Sequence, residues 1–587
     1  MSAQASTDSY TSVFAEVAAM EKEAAGFKDE VKVLVLRQIT IEGIETLIKH
    51  HLYSKQIRPI IEFGGYGTMV QDVLAAESVV SSDPDLIVLA LSIDALDQNY
   101  GSPGWTMDAV CSELGSLFEF LAGNTRATIA VHTFILPLWP EQGLVTDIAG
   151  LDLATQVAGL NKFVLEAVRA HVPRFVLMDW DRYLRQLGAD AALDERGRYL
   201  WGAPFRRPFL DLWACQLSRV ACVLRAKTKK VLVLDCDNTL WGGVIGEDGI
   251  EGIQLDANQY PGRAYFDFQT TVLHLAQRGV LITLCSKNNE ADVSEVLDQH
   301  PWCRIKRDHL SAWRVNWNDK ASNITELAAE LNLGLESFVF VDDNPAECAL
   351  VAEMLPQITV LQVPQKLHEL PRLLLRDGLF DTLSVTQEDR ERASRYQVES
   401  QRKQTRAAYG NINDYIRSMQ TVAVIHRVSS GEVPRVAQLT QKTNQFNLTT
   451  RRYSERDIEL LLADHNVALY SLAARDRFGA LGLVGVLIVR ITDKLGEVDS
   501  FLMSCRALGR RLENAMIEHC LASLGAAHEI ERWTAEYVET AKNGQVADFW
   551  ARMGFVEIEA KDGGKRYSCT ADGLICDGST FVKIEKD

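Results

Sequence analysis

The chain has 587 residues, of which 47% are hydrophobic and 24% charged, with a formal net charge of −18. At roughly 150 residues per domain this length implies three or four domains, and the composition is that of an ordinary globular protein. The acidic balance excludes a general nucleic-acid binder, whose affinity would come from basic patches on phosphates.

The opening MSAQASTDSY has no basic segment followed by an apolar core, so it does not read as a secretory signal. The longest apolar runs, such as Leu86–Leu91 and Val231–Leu234, are too short to span a bilayer, and no lipidation motif is present. The 11 cysteines are scattered without zinc or redox spacing. Reduced thiols and a cytoplasmic location, with no membrane partner, are therefore expected.

Residues 1–225 alternate strand and helix. Val31–Leu36, Arg58–Phe63, Asp85–Leu91, Ala127–Phe134 and Arg174–Asp179 read as strands; Ile41–Leu52, Met107–Leu121 and Asp147–Ala170 read as helices. This predicts an α/β domain with a parallel sheet. Its layout resembles the SGNH-hydrolase type of flavodoxin-like domain, without the Gly-Asp-Ser turn or the Asp-x-x-His pair of an esterase. Asp94, Asp97 and His132 remain candidates to line a cleft. Leu210–Lys230 reads as a helix and a basic linker.

Residues 226–380 repeat the alternation, with Val231–Leu234, Val280–Leu284, Phe338–Val341 and Ile358–Val363 as strands. Tyr265–Arg278, Glu290–His300 and Ser322–Leu331 read as the intervening helices. Four chemically loaded pieces fall at a strand's carboxyl end or a helix start: Asp235 and Asp237 with Thr239 and Gly242-Gly243, then Ser286, then Lys320, then Asp342-Asp343. Carboxyl ends are where α/β sheets place their chemistry. Transfer of a phosphoryl group to an anionic nucleophile needs a divalent cation to cancel repulsion, and Mg2+ prefers carboxylate oxygens. A hydroxyl and a lysine suit the remaining phosphate oxygens, and a second acid suits protonation of the leaving oxygen.

The ordered set resembles the haloacid dehalogenase (HAD) superfamily of phosphatases. The resemblance implies Asp235 as nucleophile and Asp237 as general acid/base. It also implies phosphate binding by Ser286 and charge neutralisation by Lys320. Mg2+ would be held by Asp235, Asp342 and Asp237 (through its main-chain carbonyl), with Asp343 a second candidate. Thr239, Gly242, Gly243, Lys287 and Asn288 are the accompanying substrate-binding candidates.

Residues 381–420 are polar and charged and read as a helical linker. From residue 421 to 587 the pattern is α+β, with strands Thr421–Arg427, Ala468–Ala474, Val484–Arg490 and Glu497–Met503 and a helix Arg511–Ser523. The turn Arg506-Ala507-Leu508-Gly509 before that helix resembles the acetyl-CoA-binding turn of GNAT acyltransferases, with Arg511 at a position that departs from it. A GNAT-like cleft would suit the phosphopantetheine arm of a carrier protein. Cys505, beside Arg506 and a helix start, is a candidate transient acyl carrier, and Cys285 a lesser one. The amide-rich run Lys442–Asn447 with Thr449–Arg452 reads as a loop that binds substrate or a partner, or joins domains.

Longer stretches, including LDCDNTLWGGVIGEDGIEGI, LCSKNNEADVSEV, NWNDKASNI, FVDDNPAE, QLTQKTNQFNLTTRRYSE and FLMSCRALGRRLE, are similar to the FkbH-like family. That resemblance implies an enzyme of polyketide-type biosynthesis. It would dephosphorylate 1,3-bisphosphoglycerate, a phosphorylated three-carbon acid, and load the glyceryl unit as a thioester on an acyl carrier protein. The alternatives are a phosphatase for another small metabolite, with flanking domains that only bind, and a non-catalytic scaffold.

Overall fold

Buried apolar runs followed by amphipathic helices occur in two successive sets, and each set closes its own parallel sheet. The computed structural model describes residues 10–67, 83–144, 152–390, 411–477, 479–504, 507–540, 542–561, 564–575 and 580–585. It divides into two units, residues 1–228 with 381–384, and residues 229–380 with 385–587. Among the described residues no helix is long and apolar enough to cross a membrane.

In the first unit, β1 (Asp29–Arg37), β2 (Ile57–Tyr66), β3 (Leu86–Ala90), β4 (Thr128–His132) and β5 (Phe175–Met178) run parallel in the order β2-β1-β3-β4-β5. This is the doubly wound order of flavodoxin-like sheets. Alternation along β1 separates two cores. Val31, Val33 and Val35 pack with the helices Ile44–Tyr53 and Arg207–Leu224. Leu34 and Leu36 pack with Asp108–Asn124 and Leu153–Ala170.

The three residues proposed for a cleft in this unit are committed to structure instead. His132 is buried, stacks on Trp180 with ring centroids 3.3 Å apart, and accepts the Leu91 N–H at 2.8 Å. Asp97 accepts the Trp105 indole N–H at 2.8 Å, and Asp94 pairs with Arg198 at 2.7 Å.

In the second unit, β6 (Val231–Leu234), β7 (Leu281–Ser286), β8 (Leu310–Val315), β9 (Phe338–Asp342) and β10 (Thr359–Gln362) are parallel in the order β10-β9-β6-β7-β8. All four residues of β6 are buried, as expected for a central strand covered on both faces. β8 is an element the sequence pattern did not reveal. Residues 391–410 of the expected linker lie outside the described residues; the short helices Gln387–Arg390 and Ile412–Ser418 flank them. Asp389 in the first of these accepts from Gln438 Nε2 at 2.7 Å. Its carbonyl oxygen lies 2.6 Å from where a Cβ on Gly279 would stand, at a φ of +87°, so only glycine fits there.

The remainder of this unit is a mixed sheet, from β11 (Val422–Arg427), β12 (Phe446–Asn447), β13 (Val467–Asp476), β14 (Gly479–Thr492), β15 (Leu495–Met503), β16 (Arg532–Val538), β17 (Val556–Lys561) and β18 (Gly564–Thr570) to β19 (Lys583–Glu585). β15 and β16 are parallel and paired only over Leu495–Val498 and Arg532–Ala535. Where they part, β12 fills the gap: Phe446 pairs with Met503, Leu448 N–H donates to Phe501 O at 3.1 Å, and Val538 N–H donates to Leu448 O at 2.8 Å. Arg451 braces both strands, 2.7 Å from Asp499 and 2.9 Å from Glu536. The amide-rich run is thus part of the sheet and its support. Helices Val433–Lys442 and Glu455–Ala463 cover one sheet face and Leu512–His528 the other.

Candidate active site

The cleft is built by strand ends. β6 stops at Leu234, so Asp235 is the first residue beyond it, and its N–H donates to Val341 O of β9 at 3.0 Å. Ser286 and Asp342 are the last residues of β7 and β9. Lys320 opens the helix Lys320–Leu331, whose N-cap Asp319 accepts from the Ser322 N–H at 2.7 Å. Asp235, Asp237, Ser286, Lys287, Lys320, Asp342 and Asp343 line one open cleft, with Asn344 and Glu347 beside them.

At its floor, the Lys320 ammonium lies 2.9 Å from Asp235 Oδ1 and 2.5 Å from Asp342 Oδ2. Asp235, Lys320 and Asp342 are all nearly or fully buried. Burial, reinforced by the Asp342 charge and only partly offset by Lys320, pushes the Asp235 carboxyl up to about 7. Burial and the Asp342 charge also raise Asp343. The charges of Asp235 and Asp342 raise Lys320 despite its burial, so it stays an ammonium.

Asp235, Asp342 and Asp343 each offer a carboxylate oxygen, and these oxygens lie within 4.8 Å of one another. One ammonium beside three carboxylates leaves an excess of negative charge and an all-oxygen donor set, which fits a hard divalent cation. The Asp237 side chain is not in this group. Its Oδ1 accepts the Trp241 indole N–H at 2.9 Å and the Ile245 N–H at 3.1 Å, and its Oδ2 accepts from Asn288 Nδ2 at 3.0 Å. A metal role for Asp237 is thus confined to its main chain.

The loop after Asp235 is shaped by its own residues. Asn238 takes a left-handed conformation at φ +51°, and its side chain accepts the Gly243 N–H at 2.9 Å. A Cβ on Gly242 would come within 2.8 Å of the Tyr265 ring, and Gly242 exchanges backbone hydrogen bonds with Gln254. Both glycines therefore serve the turn rather than a substrate. Thr239 is fully buried and its hydroxyl finds no hydrogen-bond partner among the described residues, so it does not reach the cleft.

Of the other candidates, Ser286 hydrogen-bonds Asp235 and accepts from Asn288 at 3.1 Å. Lys287 is paired with Glu347 at 2.7 Å. Cys285 is fully buried, and burial pushes its thiol up to about 12, opposite to the lowered value that favours a nucleophilic thiolate. Trp241 and Glu347 were not singled out from sequence: neither lies in a recognisable catalytic spacing, and their contacts exist only once the loops close.

In the third part of the chain, Cys505 and Arg506 lie outside the described residues. Gly509 has φ +73°, and Arg511 at the helix N-cap has φ +64° with no side-chain capping bond. Arg510 is buried against Asp476 at 2.9 Å, and Glu513 in the first helical turn is buried as well. An acidic residue in the first helical turn disfavours binding of a further anion at this helix start, unlike the acetyl-CoA-binding turn that the sequence resembles. Among the described residues, β12 occupies the gap where β15 and β16 part, the place where a GNAT-like cleft was expected.

Residues 230–374 match the family of NLI interacting factor-like phosphatases. No curated protein matches the sequence. Among solved structures, the N-terminal part of the protein BF1531 from Bacteroides fragilis, containing a phosphatase domain and complexed with Mg, is 24% identical with a TM-score of 0.57. That likeness covers 63% of this chain and 99% of the other. The chain is also similar to the ribosomal-protein-S18-alanine N-acetyltransferase of Escherichia coli, at 13% identity and TM-score 0.21 over 26% of this chain and 94% of that one. Spermidine N-acetyltransferase from Vibrio cholerae is 12% identical, with TM-score 0.21, over 26% and 97%. Residues 230–374 therefore form a phosphatase domain of the HAD kind on a parallel α/β sheet.

Proposed function

We propose that this protein is a Mg2+-dependent phosphatase that works through an aspartyl-phosphate on Asp235. We further propose that it draws on 1,3-bisphosphoglycerate and passes the glyceryl unit to the phosphopantetheinyl thiol of an acyl carrier protein, in the cytoplasm. The observation that carries the phosphatase reading is the meeting of Asp235, Asp342, Asp343 and Lys320 at the carboxyl ends of β6 and β9. The loading half rests on the FkbH-like stretches, which continue beyond the phosphatase domain.

Asp235, Asp342 and Asp343 would hold Mg2+, whose charge offsets repulsion between the nucleophile and the phosphate. Lys320 and the Ser286 hydroxyl face the non-bridging oxygens as charge shifts onto them. Asp235 attacks phosphorus while Asp237 gives a proton to the leaving oxygen; Asp237 then takes a proton from the water that hydrolyses the aspartyl-phosphate. An acyl-phosphate leaving group needs no such proton, whereas the ester phosphate of the same substrate does.

A second reading is a phosphatase for another small phosphorylated metabolite. The buried Cys285, with its raised thiol, and the filled gap between β15 and β16 favour it. The two readings separate when the full chain is incubated with 1,3-bisphosphoglycerate, MgCl2 and a holo acyl carrier protein, and the carrier is weighed by mass spectrometry. A glyceryl mass gain supports loading. Absence of a mass gain on either protein, with or without phosphate release, overturns loading and leaves the second reading. A Cys505→Ala chain that loads normally removes that thiol from the transfer.

A further inference from the structure

We infer that Trp241 is a positioning residue that fixes which oxygen of Asp237 exchanges the catalytic proton. This rests on the reading of Asp237 as general acid. Asp237 Oδ1 accepts two hydrogen bonds, from the Trp241 indole N–H at 2.9 Å and the Ile245 N–H at 3.1 Å. A carboxylate oxygen has two in-plane lone pairs, so Oδ1 is filled. Among the described residues Oδ2 accepts a single bond, from Asn288 Nδ2 at 3.0 Å, and keeps one position for a proton. The same Asn288 amide lies 3.1 Å from Ser286 Oγ, so Oδ2 is the oxygen tied to the phosphate-binding side of the cleft.

Trp241 is suited to this by its own environment. Its side chain is fully buried, within an apolar cluster with Ile245, Ile253, Leu255, Tyr265 and Phe268. Its backbone also bridges to Asp237. The ring cannot turn its N–H elsewhere without repacking that cluster.

The proton balance follows. In the first half, the Asp235 oxygen–phosphorus bond forms and the ester oxygen–phosphorus bond breaks. The electron pair stays on the ester oxygen, which takes the proton from Oδ2. In the second half, water loses a proton to Oδ2 as its oxygen attacks phosphorus. The bond to Asp235 breaks, inorganic phosphate leaves, and Asp237 is protonated as at the start.

The test uses the full chain with MgCl2 and two probes: glycerol 1-phosphate, whose alkoxide needs a proton, and p-nitrophenyl phosphate, whose phenolate does not. In Trp241→Phe, kcat/KM should fall roughly tenfold on glycerol 1-phosphate and stay within about twofold on p-nitrophenyl phosphate, a part of the roughly hundredfold or more a general acid supplies. Should the phenylalanine variant not fold, 3-benzothienylalanine at position 241, an isostere carrying sulfur in place of the N–H, must show the same selective loss. Equal losses on both probes, or none, overturn the inference. Asp237→Asn separates the two layers. If it shows no selective loss on glycerol 1-phosphate, the general-acid reading falls and the inference with it. If it does while the position-241 variants do not, only the inference falls.

Discussion

Lys320 Nζ sits 2.9 Å from Asp235 Oδ1, with both side chains almost wholly buried. The same ammonium is 2.5 Å from Asp342 Oδ2, so one cation holds together two carboxylates that would otherwise repel. Lys320→Met keeps the length and removes the charge. It should cut phosphate release with MgCl2 roughly a hundredfold or more, by loss of a charge that follows the developing phosphate. It should also cost about 3–5 kcal/mol of stability, because the buried carboxylates lose their partner. Steady-state phosphate release and urea denaturation check the two; activity within tenfold of the parent would refute the role.

The carboxylate oxygens of Asp235, Asp342 and Asp343 lie within 4.8 Å of one another, and only the folded chain brings them together. A cation that binds this cluster must therefore stabilise the fold, by about 2.7 kcal/mol at a hundredfold excess over Kd. MgCl2 should raise the Tm of the chain and EDTA should abolish phosphate release, with recovery on adding MgCl2 back. Asp342→Asn should lose the Tm response. A Tm shift of equal size in that variant would place the cation elsewhere.

Much of the site was legible because buried parallel strands are uniform apolar runs, and their ends mark where side chains converge. β6, β7 and β9 could be read that way, and with them Asp235, Ser286 and Asp342. β8 could not, because Trp313 and Arg314 are partly exposed at the sheet edge and Arg314 is paired with Glu326 and Glu330. β12 is two residues long, and no local period can announce a strand that short. Its place is fixed by the parting of β15 and β16, which lie far along the chain. The Trp241–Asp237 bond is hidden for another reason: it depends on a left-handed Asn238 turning the loop back, and spacing alone does not show which way an indole N–H points.

Burial holds the His132 imidazole down at about 3 in the folded chain, against an ordinary value of about 6.5. Below that ordinary value the unfolded chain binds a proton that the folded chain refuses. Acid therefore draws the equilibrium toward unfolding, and this contribution is lost as pH falls from about 6.5 toward 3, by up to about 1.4 kcal/mol per pH unit. His132→Gln removes the titration. The stability advantage of the parent over this variant, measured by urea denaturation followed through tryptophan fluorescence, should shrink from pH 7 to pH 5. An advantage independent of pH would show that the imidazole is not held neutral.

Asn543 is fully buried where β12 meets β16. Its Nδ2 donates to Asn447 O and Val538 O, both at 2.9 Å, and its Oδ1 accepts the Thr540 N–H at 2.8 Å and the Tyr537 hydroxyl at 3.2 Å. This one amide ties the inserted strand to its neighbour. Asn543→Ala deletes all four bonds and should destabilise by roughly 2–4 kcal/mol, the cost of leaving one or more buried polar groups unpaired. Asn543→Asp keeps the size but turns two donors into an acceptor facing two carbonyl oxygens, so it should be worse than alanine although it is the smaller change in shape. Thermal denaturation at neutral pH gives the order: parent, then alanine, then aspartate. An aspartate variant at least as stable as alanine would mean that the amide donors do not hold the insertion in place.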